Sequence, residues 1–172
     1  MREMHYYEII DLPIGPFTVI VNAAGAVTEL HTYDKTDELR TRPDTIPDSV
    51  ATADVRRQLE EYSRGERKEF DLPISPKGTP FQHSVWQKLV EIPYGQTRTY
   101  GELATLLGNP NASRAVGRAN ATNPISIIVP CHRVIGTSGE LTGYAGGLPV
   151  KRRLLELEGA LKPSLFDLDS AG

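Results

Sequence analysis

The pattern of apolar and polar positions divides the chain into a strand-like first third and a helical remainder. Residues 5–10 and 17–21 are rich in β-branched and aromatic side chains, and the turn-forming Leu12-Pro13-Ile14-Gly15-Pro16 separates them. Asn22-Ala23-Ala24-Gly25 is a second turn, and residues 27–33 alternate apolar and polar as a third strand. Residues 34–48 are polar and contain proline, which predicts a loop. Within 49–64, Val55, Leu59 and Tyr62 fall at i, i+4, i+7, one face of a helix that Gly65 can end. Pro73-Ile74-Ser75-Pro76-Lys77-Gly78 then reads as a linker.

Beyond the linker the period becomes helical. Thr79 followed by Pro80 is an N-cap with proline at the first helical position, and Phe81, Val85, Leu89 and Ile92 share one face. Pro93-Tyr94-Gly95 closes that helix. Thr99 and Glu102 make a capping box for a second helix from about Tyr100 to Leu107, stopped by Gly108. Asn109-Pro110-Asn111 is a tight turn, and Asn111 or Ser113 can cap a third helix reaching about Ala121. Two short helices around such a turn have the layout of a helix-turn-helix. Residues 125–129 form a buried, strand-like apolar segment. The fold class expected is α+β: a small sheet-and-helix unit over 1–75, a mainly helical unit over 79–160, and a tail over 161–172.

Charge changes this picture. The net charge is −3, which disfavours a polyanionic partner for the molecule as a whole. Residues 1–79 hold 10 Lys/Arg against 15 Asp/Glu, whereas residues 92–153 hold seven (Arg98, Arg114, Arg118, Arg133, Lys151, Arg152, Arg153) against Glu102 and Glu140. A basic segment can bind phosphates locally, or it can be a solvated face. The third helix combines small residues (Ala112, Ala115, Gly117, Ala119, Ala121) with Arg114 and Arg118 four apart. Gly117 costs such a helix about 1 kcal/mol relative to alanine. Either tight packing on a neighbouring helix or a smooth wall laid in a DNA groove accounts for it.

The candidate chemistry lies in Pro130-Cys131-His132-Arg133-Val134. A lone cysteine is often an inert core residue, but this one follows an apolar segment that fixes its position and precedes a histidine. Nearby histidine and arginines are the surroundings that lower a thiol pKa. A single cysteine cannot form an internal disulfide, no apolar h-region follows the N-terminus, and no apolar run approaches the ~20 residues that span a bilayer. A cytoplasmic protein is expected.

Ile128-Val129-Pro130-Cys131-His132-Arg133-Val134-Ile135 resembles the active-site signature of the O6-alkylguanine-DNA alkyltransferases. Ile92-Pro93-Tyr94-Gly95, Thr99-Tyr100-Gly101, Ser113-Arg114-Ala115-Val116-Gly117, Asn123-Pro124, Gly143-Tyr144-Ala145-Gly146-Gly147 and Leu154-Leu155-Glu156-Leu157-Glu158-Gly159 extend the resemblance over 80–160. Before residue 76 it is faint, beyond Pro13-Ile14-Gly15-Pro16, and suggests a ribonuclease H-like unit. The resemblance implies direct, irreversible, single-turnover transfer of an alkyl group from O6-alkylguanine, and from O4-alkylthymine, in duplex DNA to Cys131. It implies that His132 takes the thiol proton through a water, oriented by Glu158, with Asn123 bracing the loop. It implies that Tyr100 protonates N3 of the leaving base and that Arg114 fills the stack vacated by the flipped nucleotide. Ala115, Gly117, Arg118, Thr99 and Arg133 would contact DNA along the minor groove. Tyr100, Val134, Tyr144, Ala145 and Gly146 would line the base pocket. A monomer without cofactor is expected. No zinc is expected either, since the chain has no second cysteine and its histidines lack metal-ligand spacing. A helix-turn-helix regulator would leave Cys131, His132 and Asn123 idle, and a cysteine hydrolase would leave Arg114 and the small-residue helix idle.

Overall fold

The computed structural model describes residues 2–162, so most of the expected tail (161–172) lies outside the described residues. An antiparallel hairpin of β1 (His5–Leu12) and β2 (Gly15–Asn22) starts the fold, and β3 (Val27–His31) pairs antiparallel with β2. The strands run further than the five-residue turn motif predicts. Leu12 pairs with Gly15, leaving only Pro13 and Ile14 as the loop. The expected loop over 34–48 instead holds α1 (Thr36–Thr41) and a short β4 (Thr45–Pro47) parallel to β1. Neither has a period long enough to read: Leu39 is the one buried residue of α1, and β4 has three residues. The sheet order is β3-β2-β1-β4. Helix α2 (Ala53–Ser63) buries Val55, Leu59 and Tyr62, the predicted face.

The linker is clipped to the sheet, since Val27 N–H donates to Pro73 O (2.8 Å) and Ser75 N–H to Val27 O (2.8 Å). Helix α3 (Pro80–Val90) begins at Thr79 with a capping box completed by Gln82. Phe81 is exposed rather than part of the buried face. Trp86 joins Val85 and Leu89 instead, its indole N–H donating to Ala119 O (2.9 Å). After a two-residue strand β5 (Arg98–Thr99), helix α4 (Tyr100–Leu106) starts on the predicted Thr99–Glu102 capping box. Helix α5 (Ser113–Ala121) starts differently: its N-cap is Ala112, and neither Asn111 nor Ser113 caps it. Strand β6 (Val134–Ile135) pairs parallel with β5, and α6 (Leu148–Leu157) closes the fold.

One continuous core joins the two parts, from Phe17, Val19 and Leu30 of the sheet to Leu103, Val116, Val134 and Leu154 of the helices. Among the described residues no helix is long and apolar enough to cross a membrane.

Candidate active site

The segment that carries the cysteine is held by the sheet edge. Leu30 N–H donates to Pro124 O and Ser126 N–H to Leu30 O, both at 2.9 Å, so residues 124–126 add a strand-like rung beside β3. The expected strand over 125–129 then breaks into a turn. Ile128 N–H bonds Ser126 O and Val129 N–H bonds Ile125 O, with Ile127 at φ 71°. A β-branched residue in the left-handed region costs about 1–3 kcal/mol and persists only where its surroundings over-determine it. Here Ile127 is buried in the core, and Asn123 closes the turn from inside. The Asn123 amide donates to Val129 O (2.8 Å), and its Oδ1 accepts from Ile125 N–H (3.0 Å). The turn delivers Cys131 to the head of a 3₁₀ turn, Cys131–Arg133.

Cys131 is only 5% exposed and lines a narrow cleft with Asn120, Asn123, Ser126, Gly143, Tyr144 and Ala145. Asn120 was not foreseen from the sequence. Its buried amide donates to Cys131 O (3.3 Å) from the inner face of α5, one turn after Val116. Gly146 packs where no side chain fits: a Cβ there would overlap the Thr32 hydroxyl and crowd the Tyr144 ring. The cleft loop is thereby pressed against the N-terminal unit.

The expectation that cationic neighbours lower the thiol pKa is reversed. Burial pushes the Cys131 thiol up, and favourable contacts from Asn123 and Ser126 and the charge of Lys151 do not offset it. Arg133 cannot help, because its charge is spent on Glu158. Cys131 therefore rests as a thiol, and the proton must leave during reaction.

A base stands next to it in sequence. His132 is fully buried, and burial lowers its pKa although Glu158 opposes the shift, so the imidazole is neutral. Its Nε2 lies 2.8 Å from Glu158 Oε2. Burial raises the Glu158 pKa, but hydrogen bonds from His132 and Arg133 together with the Arg133 charge outweigh it and hold the carboxyl well below its ordinary value. Glu158 is thus a carboxylate and an acceptor, which assigns the proton to Nε2 and leaves the Nδ1 lone pair free. Nδ1 is buried and bonded to no protein atom.

Arg133, expected at the DNA surface, points inward instead. Its Nε donates to Glu158 Oε1 (2.8 Å), Nη2 to Glu158 Oε2 (3.0 Å) and Nη1 to Ile92 O (2.7 Å), and the residue is 7% exposed. It is a buried strut and does not reach DNA phosphates. Lys151 likewise leaves the basic surface. Its buried ammonium donates to Val134 O (2.6 Å) and Thr142 O (2.8 Å), and burial brings its pKa down to about 8. It ties the cleft loop to β6, and charge counting along the chain could not distinguish it from a surface lysine. Replacing Lys151 with methionine keeps the stem but orphans two carbonyls. We expect a loss of about 2 kcal/mol, read by denaturant unfolding, together with slower chemistry at Cys131.

The other predicted residues fall around the cleft mouth. Tyr100, half-buried on the first turn of α4, shares a hydrogen bond with the Thr142 hydroxyl (2.8 Å). Its ring lies beside Gly117, where an added Cβ would meet it only at ordinary contact distance. Packing inside the chain therefore does not demand glycine at 117. Thr99 spends its Oγ1 acceptor on Glu102 N–H. Val134 is buried, and its carbonyl is engaged by Lys151. Arg114 and Arg118 are exposed on the outer face of α5, with Ala115 and Gly117 beside them. Neither makes an ion pair with an acidic side chain among the described residues.

Residues 80–160 match the family model for the 6-O-methylguanine DNA methyltransferase DNA-binding domain, and residues 5–76 match that for its ribonuclease-like domain. The chain is 51% identical over 156 residues to the methylated-DNA–protein-cysteine methyltransferase of Methanosarcina acetivorans, covering 90% of this chain and 99% of the relative. It is 50% identical over 167 residues to the protein of the same name from Mycobacterium tuberculosis, covering 95% and 100%. Mycobacterium tuberculosis OGT, solved in complex with DNA, superposes with a TM-score of 0.82 at 48% identity, covering 95% of this chain and 99% of that one.

Proposed function

This chain belongs to the 6-O-methylguanine DNA methyltransferase family, and we propose that it repairs DNA as a methylated-DNA–protein-cysteine methyltransferase whose acceptor is Cys131. One observation carries the assignment of the acceptor. The chain's single cysteine lines the cleft, and the neighbouring histidine is neutral, with Nε2 committed to Glu158 and Nδ1 uncommitted.

The chemistry is a displacement at the alkyl carbon. The thiol proton passes through a water to His132 Nδ1, giving an imidazolium that the Glu158 carboxylate stabilises. The sulfur then forms its bond to carbon, and the carbon–O6 bond breaks with its electron pair left on the base. Tyr100 supplies a proton at N3, exchanging its hydrogen bond to Thr142 for one to the purine. Tyr144, Ala145 and Gly146 flank the base, with the backbone near Val134. The same displacement would act on O4-alkylthymine, which presents an alkyl carbon on a comparable enol-ether oxygen. A base stacked in a duplex cannot reach a thiol that is 5% exposed, so the nucleotide must be extruded. The outer face of α5 suits the minor groove, because its surface is smooth apart from Arg114 and Arg118. Thr99, the N-cap of α4, would add a contact to the DNA backbone from the helix before the turn. The molecule acts as a monomer, needing one cleft and one helix for one lesion. A regulator of the helix-turn-helix class would have no use for a buried thiol with its own base. The deciding experiment titrates methylated duplex against protein and locates the methyl group by peptide mass; label on any residue other than Cys131 refutes the assignment.

Arg114 separates extrusion from chemistry. Unstacking a base costs a few kcal/mol, so Arg114→Ala is expected to slow repair of duplex by roughly 10²-fold. Reaction with free O6-benzylguanine, which needs no extrusion, should be nearly unchanged. A phosphate contact alone would instead show as a salt-dependent loss of DNA affinity. Equal losses on both substrates would return Arg114 to the scaffold.

A further inference from the structure

Glu158 receives one more bond than its work with His132 and Arg133 accounts for. Tyr62, on the last turn of α2 in the N-terminal unit, donates its hydroxyl proton to Glu158 Oε2 at 2.5 Å across 96 residues of sequence. That oxygen also accepts from His132 Nε2 (2.8 Å) and Arg133 Nη2 (3.0 Å), while Oε1 accepts from Arg133 Nε (2.8 Å). The Arg133 fork alone satisfies both oxygens of the carboxylate. It would still leave the group free to rock about the fork axis, and any rocking displaces the oxygen that aims the imidazole.

Tyr62 is built to stop that motion. It is fully buried, its ring is tilted against Phe70 (5.4 Å between centroids) and edge-on to Tyr94 (6.3 Å, 87°). Tyr94 in turn lies under the Arg133 guanidinium (5.8 Å) and donates its hydroxyl to Leu157 O (3.3 Å), one residue before Glu158. The three rings form a wall around the ion pair, and only Tyr62 reaches through it to the oxygen shared with His132. Burial and the adjacent carboxylate hold the phenol protonated, so it remains a donor.

We propose that Tyr62 is a positioning residue for alkyl transfer, fixing Glu158 Oε2 so that His132 presents Nδ1 toward the thiol proton. The inference rests on the functional reading above and gives the N-terminal unit a part in the chemistry. A tyrosine that merely satisfies its hydroxyl in the core would stabilise the fold without touching the rate.

The test uses the full chain and single-turnover methyl transfer from methylated duplex, with rates normalised to the active fraction by end-point methyl uptake. Tyr62→Phe deletes the hydroxyl and keeps the ring. Its first-order rate at saturating duplex should fall about tenfold, the scale on which small misplacements act. The duplex concentration giving half-maximal rate should not move. In a His132→Ala background the same change should cost nothing further, because residues acting through one network are not additive. As a second readout, the ¹⁵N resonances of the His132 imidazole should shift in Tyr62→Phe while the fold is retained. A parent-like rate overturns the proposal, as does an equal loss in both backgrounds or an unperturbed imidazole. Failure of the parent itself to transfer methyl would instead sink the functional reading, and this inference with it.

Discussion

Cys131→Ala is expected to abolish methyl transfer while leaving a folded protein that still binds methylated duplex. The substitution removes one buried sulfur from a site held by backbone bonds: Cys131 N–H donates to Val129 O (2.8 Å), and Asn120 donates to Cys131 O (3.3 Å). Neither bond involves the thiol. The outer face of α5 is likewise unchanged, so affinity for DNA should persist. The parent should take up one methyl group per molecule and no more. The thioether that forms has no good leaving group, and the chain contains no second cysteine to accept the alkyl group. Methyl incorporated per protein molecule, measured at excess substrate, checks this directly. Incorporation clearly above one refutes the single-turnover mechanism, and residual transfer by Cys131→Ala refutes the acceptor.

The second large effect concerns the proton. Because burial holds Cys131 as a thiol, His132→Ala and Glu158→Gln should each slow transfer by about 10²–10⁴-fold, the usual contribution of general-base assistance. The pH dependence separates this from a structural defect. In the parent the lowered His132 pKa keeps the imidazole neutral below its ordinary value of 6.5, so the rate should hold as pH falls through that value. In His132→Ala the thiol must ionise unaided against a pKa raised above 9.0. Its rate should therefore climb steadily with pH from neutrality to at least pH 9. A parent-like rate for His132→Ala, or a pH-independent loss, would show that this pair is not the base.

The cleft shows how the two halves of the chain divide the work. The sheet edge at Leu30 fixes the segment entering Cys131, Thr32 backs the cleft loop at Gly146, and Tyr62 closes on Glu158. The N-terminal unit carries no motif of its own, yet it touches the site at all three places. Its contribution is invisible along the chain because each contact joins residues roughly a hundred positions apart.

What the sequence by itself determined is local. The helix start at Thr79 was readable from a threonine cap followed by proline, and that at Thr99 because a cap side chain and its N3 partner lie three residues apart and satisfy backbone donors within one turn. The buried face of α2 followed from its period, and Cys131 from its apolar approach and adjacent histidine. The two-part α+β description holds for the same reason, since period and turn chemistry are properties of short windows. The partners of His132 were implied by resemblance and not by any spacing. Only the tertiary structure decided that Arg133 and Lys151 turn inward while Arg114 and Arg118 face out, although all four count equally in a charge tally. It alone decided that 125–129 is a strained turn rather than a strand, because the bonds to Leu30 and Asn123 outweigh the strand propensity of three isoleucines and a valine. It also reversed the expected thiol pKa. A pKa depends on burial and on which charges are already neutralised, and both are set by packing between segments distant in sequence.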